Sequence, residues 1–220
     1  MTEHLGAPAR SPLRRLPWHT VALLALALGL GALAPLPDPG AIPSAGPFAQ
    51  LVLDRASPAE AWRWLTAHFI HVGTGHLLWN LAALALLGGV IEFGGRGARH
   101  LWPAVVTGAL AVSLWFFLVD RSPFYCGLSG VLNTLLILAL ARSHPPLAAQ
   151  DRESGARGGA VTVLLWLIGA GAFAKAGYEL WTGAALLTDH PWPAAPGAHL
   201  AGLTAGCALV AGRRFLTGHS

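Results

Sequence analysis

Apolar residues in this chain gather in long blocks, not in the alternating or three-and-four spacing of a water-soluble core. A helix needs roughly 20 mostly apolar residues to cross the hydrocarbon layer of a bilayer. Six stretches predict such helices: Trp18–Ala34, His76–Glu92, Leu101–Val119, Leu128–Ala141, Val161–Gly177 and His199–Phe215. The third and fifth are the clearest, being free of charge until Lys175. Several others reach a full span only with their polar-looking ends included.

The polar stretches between these blocks set an orientation. With the N-terminus inside, the inner set is Arg10, Arg14, Arg15, Arg96, Arg99, Arg142, Arg152, Arg157, Arg213 and Arg214, against Arg55, Arg63, Arg121 and Lys175 outside. Ten against four is the positive-inside bias of a membrane protein with both termini cytoplasmic. The expected organisation is a cytoplasmic tail over 1–17, a bundle over 18–216 and a short tail over 217–220. Residues 35–75 form an outside loop whose tryptophan-bearing stretch Ala59–Leu65 suits the membrane interface. Residues Arg142–Gly159 read as a polar inner linker. A signal-peptide reading of the first block competes, but Pro35 directly after Ala32-Leu33-Ala34 disfavours cleavage there.

Composition agrees. Hydrophobic residues make up 54% of the 220 and charged ones only 11%, less than half the charged share of a soluble domain. The net charge of +4 could point to nucleic acid, but the arginines are scattered between apolar runs, so no nucleic-acid partner is expected. The fold class is therefore all-α, a polytopic membrane bundle of six helices embedded in lipid.

Ionisable and polar residues inside membrane helices are costly and mark function. His76 and Asn80 stand four apart on the second predicted helix, Gly127-Leu128-Ser129-Gly130 opens the fourth, and Ala198-His199-Leu200-Ala201-Gly202 opens the sixth. All three helices enter from the outside, which brings His76, Ser129 and His199 to one depth. Ser129 is the candidate nucleophile and His199 its base. No acidic residue falls at a matching depth, so a Ser–His dyad is expected, oriented by packing. Backbone N–H groups at Leu128 and Ser129, with His76 and Asn80, would make an oxyanion hole. Gly127 and Gly130 allow close approach, and His71, Asn133 and Gly202 are expected to support the site.

Each element has a blander reading. A lone GxSG more often packs than reacts, His199 could be a satisfied core histidine, and Gly202 with Gly206 reads as a packing seam. Cys126 and Cys207 are too different in depth for a disulfide, and Cys126 reads as a structural or substrate-contacting residue before a second nucleophile. Lys175 and Glu179 are spaced to pair on one helix face.

Taken in order, these motifs resemble those of rhomboid intramembrane proteases. His76-Leu77-Leu78-Trp79-Asn80 with Leu87-Gly88-Gly89-Val90-Ile91-Glu92 is similar to their second core helix. Gly127–Gly130 is similar to their GxSG, Ala198–Gly206 to their AHxxGxxxG, and Trp62-Arg63 to their outer-loop WR pair. The resemblance covers roughly residues 60–210. It implies a six-helix core, a Ser129–His199 dyad, an oxyanion hole from His76, Asn80 and the serine backbone, no cofactor, and membrane-protein substrates cut in or next to a transmembrane helix. Tyr125–Asn133 most resembles the rhombosortase branch, which implies substrates with a C-terminal Gly-Gly motif, helix and basic tail, in a bacterial inner membrane with the site opening to the periplasm. The segment departs from the commoner pattern at Asn133, where an aromatic is usual, and at Thr134, where Ala or Gly is usual. An Asn133 hydrogen bond to His199 is one expectation. A silent helix-binding relative and a metal protein built on His68, His71 and His76 are the alternatives. Oligomeric state is not legible.

Overall fold

The structure is a computed structural model that describes residues 16–33, 46–93, 98–143, 155–183, 186 and 195–217. The predicted tails at 1–15 and 218–220, the start of the outside loop at 34–45 and the centre of the inner linker at 144–154 lie outside these residues.

Among the described residues six helices of 15 residues or more carry the fold, one overlapping each predicted block. They are α1 (Trp18–Leu33), α4 (Thr74–Phe93), α5 (Ala98–Leu118), α6 (Ser129–Ser143), α7 (Gly155–Thr182) and α8 (Pro196–Thr217), with the short α2 (Gly46–Leu51) and α3 (Arg63–Thr66) between α1 and α4. Among the described residues α4, α5 and α7 are long and apolar enough to cross a membrane, while α1 and α6 are apolar but shorter. Large apolar side chains such as Leu78, Trp79, Leu114, Leu118, Leu167 and Trp181 face outward. Polar side chains such as His68, Asn80, Ser113, Thr134 and Glu179 are buried. That inversion suits a hydrocarbon surround, where only a polar-lined interior can satisfy polar groups.

Helix α6 is the centre of the bundle and packs on α4, α5, α7 and α8. Its closest neighbour is α8. A Cβ at Gly202 would lie 1.8 Å from the Gly130 carbonyl oxygen, so only glycine permits this approach. Thr134 donates its hydroxyl to the Gly202 carbonyl at 2.8 Å across the same contact. The hydroxyl has room because Gly108 of α5 faces it, where a Cβ would sit 2.6 Å from Oγ1. A threonine in place of the usual small residue is therefore matched by a glycine opposite.

Both ends of the bundle are pinned by charged side chains. At one end Glu92, near the end of α4, accepts from the Thr20 N–H at 2.9 Å, the His19 N–H at 3.0 Å and the Thr20 hydroxyl at 2.8 Å. A carboxylate from another helix thus caps α1, whose own first turn has no acid. Arg142 of α6 donates to the Ile91 carbonyl at that end. At the other end Arg55 caps α5, donating to the carbonyls of Phe116, Phe117, Asp120 and Ser122 while lying over the Phe116 ring. A two-residue ladder, β1 (Leu53–Asp54) against β2 (Phe124–Tyr125), ties the outer loop to the segment leading into α6. Buried Arg63 steadies that loop through Glu60 at 2.5 Å, the Val52 carbonyl at 2.9 Å and the Ala49 carbonyl.

Most helix ends fall within a few residues of expectation, and the two ends of α7 depart furthest. α6 runs to Ser143 and α7 begins at Gly155, so part of the expected inner linker is helical. α7 also continues five residues past Gly177, to Thr182. The Lys175–Glu179 pair sustains that last stretch: the two side chains bond at i, i+4, which lets charged residues remain in a largely apolar helix.

Candidate active site

The site is assembled from the beginnings of α4, α6 and α8 and the end of α7. Ser129 is the first residue of α6, so its N–H and that of Gly130 have no carbonyl one turn back within the helix. The chain reaches this start through Gly127, whose φ of +121° disfavours any side chain. A Cβ at Gly127 would also meet His76 Cε1 at 3.0 Å. Gly127 therefore serves both the turn and the seating of His76 beside it. Leu128 is buried and anchors the turn, its carbonyl accepting from the Leu132 N–H at 2.9 Å.

His199 Nε2 lies 3.0 Å from Ser129 Oγ. The short contact follows from the helix packing, since Gly130 and Gly202 are the glycines that let α6 and α8 touch, one residue after Ser129 and three after His199. Ser129 and His199 are each part-buried, which leaves the pair open on one side.

Asn80 is buried, and its Nδ2 has no hydrogen-bond partner among the described residues. It stands one turn beyond His76 on α4. A buried amide donor without an acceptor costs stability unless something else uses it. His71 packs edge-on against His76 with ring centroids 5.2 Å apart, and burial lowers its pKa to about 4, leaving it neutral near pH 7. His68, lowered to about 4 by burial as well, hydrogen-bonds Ser113 of α5 at 3.1 Å instead of turning to the other two rings. Among the described residues no three His, Cys, Asp or Glu side chains are grouped to hold a metal ion, so the histidine-cluster arrangement does not form.

Two expectations need correcting. Asn133 does not reach His199; its amide donates to the Ser129 carbonyl one turn back at 3.0 Å. The second concerns the missing acid. Glu179, with its side chain 1% exposed, places Oε2 3.3 Å from His199 Nδ1. A helix ending at Gly177 leaves Glu179 in a loop, whereas the continued α7 carries it inward to the histidine. The Lys175–Glu179 spacing already argues that the helix goes on; it does not tell that the carboxylate also faces His199. Cys126 and Cys207 both carry free thiols, as their difference in depth predicts. Burial pushes the Cys126 thiol up to about 12, which removes it as a nucleophile at neutral pH.

Residues 58–214 match the rhomboid domain. The chain is 32% identical over 154 residues to the rhomboid protease GlpG of Salmonella choleraesuis (strain SC-B67), and to the same extent to those of Salmonella newport (strain SL254) and Salmonella typhi. The aligned part is 69% of this chain and 48% of theirs, so the chain spans about half the length of these curated relatives. The domain match takes in α4 to α8 and every residue of the site; the chain belongs to the rhomboid family of membrane proteins.

Proposed function

We propose that this chain is an intramembrane serine endopeptidase that cuts membrane-anchored proteins in or next to a transmembrane helix, with Ser129 as nucleophile and His199 as base. The observation that carries the reading is the 3.0 Å contact between His199 Nε2 and Ser129 Oγ at the starts of two buried helices. Oγ attacks the scissile carbonyl carbon while its proton passes to Nε2. The resulting oxyanion lies by the first N–H groups of α6, with Asn80 Nδ2 and His76 as further donors. The orphaned, buried Asn80 amide supports that role, since an oxyanion supplies the acceptor it lacks. Collapse expels the amine, which takes its proton from Nε2, and water or another nucleophile releases the acyl group. No step requires a cofactor.

In this reading all six long helices cross a bacterial inner membrane, with the termini in the cytoplasm and the site near the periplasmic face. Arg142 at the opposite end of α6 from Ser129 supports that sense. The resemblance of Tyr125–Asn133 to the rhombosortase branch supports substrates ending in a Gly-Gly motif, a single helix and a basic tail.

The test is cleavage of such a substrate by purified protein in detergent, comparing wild type with Ser129→Ala and His199→Ala, with and without a chelator. Loss of cleavage in both variants and indifference to chelator are expected. Cleavage that survives Ser129→Ala overturns the serine mechanism. A folded wild type that neither cleaves nor reacts with a fluorophosphonate at Ser129 points to a silent helix-binding relative.

A further inference from the structure

We propose that Glu179 is a positioning residue for His199, holding the imidazole with its proton on Nδ1 so that Nε2 faces Ser129 unprotonated; the inference rests on the serine-protease reading above. Two contacts define the line. Glu179 Oε2 is 3.3 Å from Nδ1, and Nε2 on the far side of the same ring is 3.0 Å from Ser129 Oγ. The other carboxylate oxygen is already occupied: Oε1 accepts from Lys175 Nζ and from the Leu186 N–H at 2.9 Å. Oε2 has no aligned hydrogen bond among the described residues. Among the described residues it stands at ion-pair distance from the imidazole, at a separation that tightens readily as a reaction proceeds.

The placement of Glu179 carries two local costs. A carboxylate in the last turn of a helix faces the negative end of the macrodipole. Burying it in a membrane bundle adds a desolvation cost. A lysine that merely snorkels with an exposed partner would demand neither. Here the lysine side chain is 26% exposed and the glutamate 1%, so the pair points its anion inward, toward His199. Lys175 offsets the buried charge without occupying Oε2.

The chemistry follows directly. Of the two neutral tautomers, only the one with hydrogen on Nδ1 gives a carboxylate a donor and leaves a lone pair on Nε2 for the serine proton. When Oγ bonds the scissile carbon, its proton moves to Nε2, the Nδ1 hydrogen stays on the ring, and the imidazolium is flanked by the Glu179 anion. Glu179 takes no proton. The arrangement is a serine–histidine–glutamate triad set across three helices, in place of a dyad oriented by packing alone.

Glu179→Gln tests this, because an amide can turn its NH2 toward Nδ1 and select the wrong tautomer. The expected result is a fall in kcat of about 100-fold with little change in KM, since the lost effect lies in the reacting histidine. Nitrogen-15 histidine spectra, assigned by difference against His199→Gln, should show His199 changing from the Nδ1–H to the Nε2–H form. Should an uncompensated Lys175 prevent folding, Lys175→Met with Glu179→Gln removes both charges and carries the same expectations. A folded variant with kcat near wild type, or with the His199 tautomer unchanged, overturns the inference. Failure of the protease reading is separately visible as wild type that shows no Ser129-dependent cleavage or labelling, and the tautomer still decides the role of Glu179.

Discussion

Gly202→Ala is the sharpest test of how the fold makes the site. The new methyl carbon would lie 1.8 Å from the Gly130 carbonyl oxygen, 2.8 Å from the Gly130 carbonyl carbon and 3.3 Å from Asn133 Cβ. The first distance is about 1.2 Å short of the closest approach that Cβ atoms make. The obstacle is backbone inside a helix, so no side-chain rotation relieves it; α6 and α8 must separate. Overpacking of this kind costs roughly 3 kcal/mol, and the Thr134–Gly202 hydrogen bond lost with it adds about 1 kcal/mol. In a chain of this length the two together lower the melting temperature by roughly 10 °C.

The functional cost follows from the structural one. Separating the helices by about 1 Å stretches the 3.0 Å Ser129–His199 contact beyond hydrogen-bond range, and a 1 Å misplacement costs on the order of 100-fold in rate. The assay pairs thermal unfolding in detergent with the rate of fluorophosphonate labelling at Ser129. Gly206→Ala, which meets Ile137 Cβ at 2.7 Å one turn further on, should lose stability with a smaller loss of rate. Gly171→Ala, with nothing within 4 Å of the new carbon, should leave both unchanged. If Gly202→Ala keeps the melting temperature and labelling rate of wild type, the close helix contact is not what sets the serine–histidine distance.

Three further outcomes are expected. His68 and His71 are held neutral by burial, with pKa values of about 4, so the unfolded chain binds more protons than the folded one between about pH 4 and 6.5. Stability should fall as pH drops through that window and level off below it, and a His68→Gln, His71→Gln double variant should flatten the profile of melting temperature against pH. Arg55→Lys should destabilise by about 2 kcal/mol, because an ammonium cannot reach the four carbonyls that the guanidinium serves; denaturant unfolding in detergent measures it. Glu92→Ala leaves the first N–H groups of α1 uncapped and should cost roughly 2 kcal/mol, visible as faster proteolysis after Arg14 or Arg15 with the Ser129 labelling rate preserved.

The six long helices were legible because their signal is bulk hydrophobicity, which survives errors of a few residues at either end. The serine–histidine contact was legible because Ser129 and His199 both lie in the first turn of alternate predicted blocks, so a matched level follows from the expected alternation alone. The carboxylate was not. Apolar runs end where charge begins, so Lys175 and Gly177 read as the edge of a span, and the i, i+4 spacing makes Glu179 a partner for Lys175 and nothing more. The pair forms as spaced and the helix carries both residues on to Thr182, but which way the carboxylate turns is set by packing against α8, which spacing does not encode.

The same logic explains why Asn133 was misread. Its position one turn after Ser129 suited either a reach across to His199 or a bond back to its own helix, and sequence cannot choose between them. Once Glu179 stands at Nδ1, the histidine has no need of an amide, and Asn133 Nδ2 is committed to the Ser129 carbonyl. That bond braces the first turn of α6, where the proposed mechanism needs the serine backbone to hold its N–H toward an oxyanion. The two departures from expectation are therefore linked. With the acid of α7 beside His199 in the proposed role, Asn133 is left to stiffen the turn that carries Ser129.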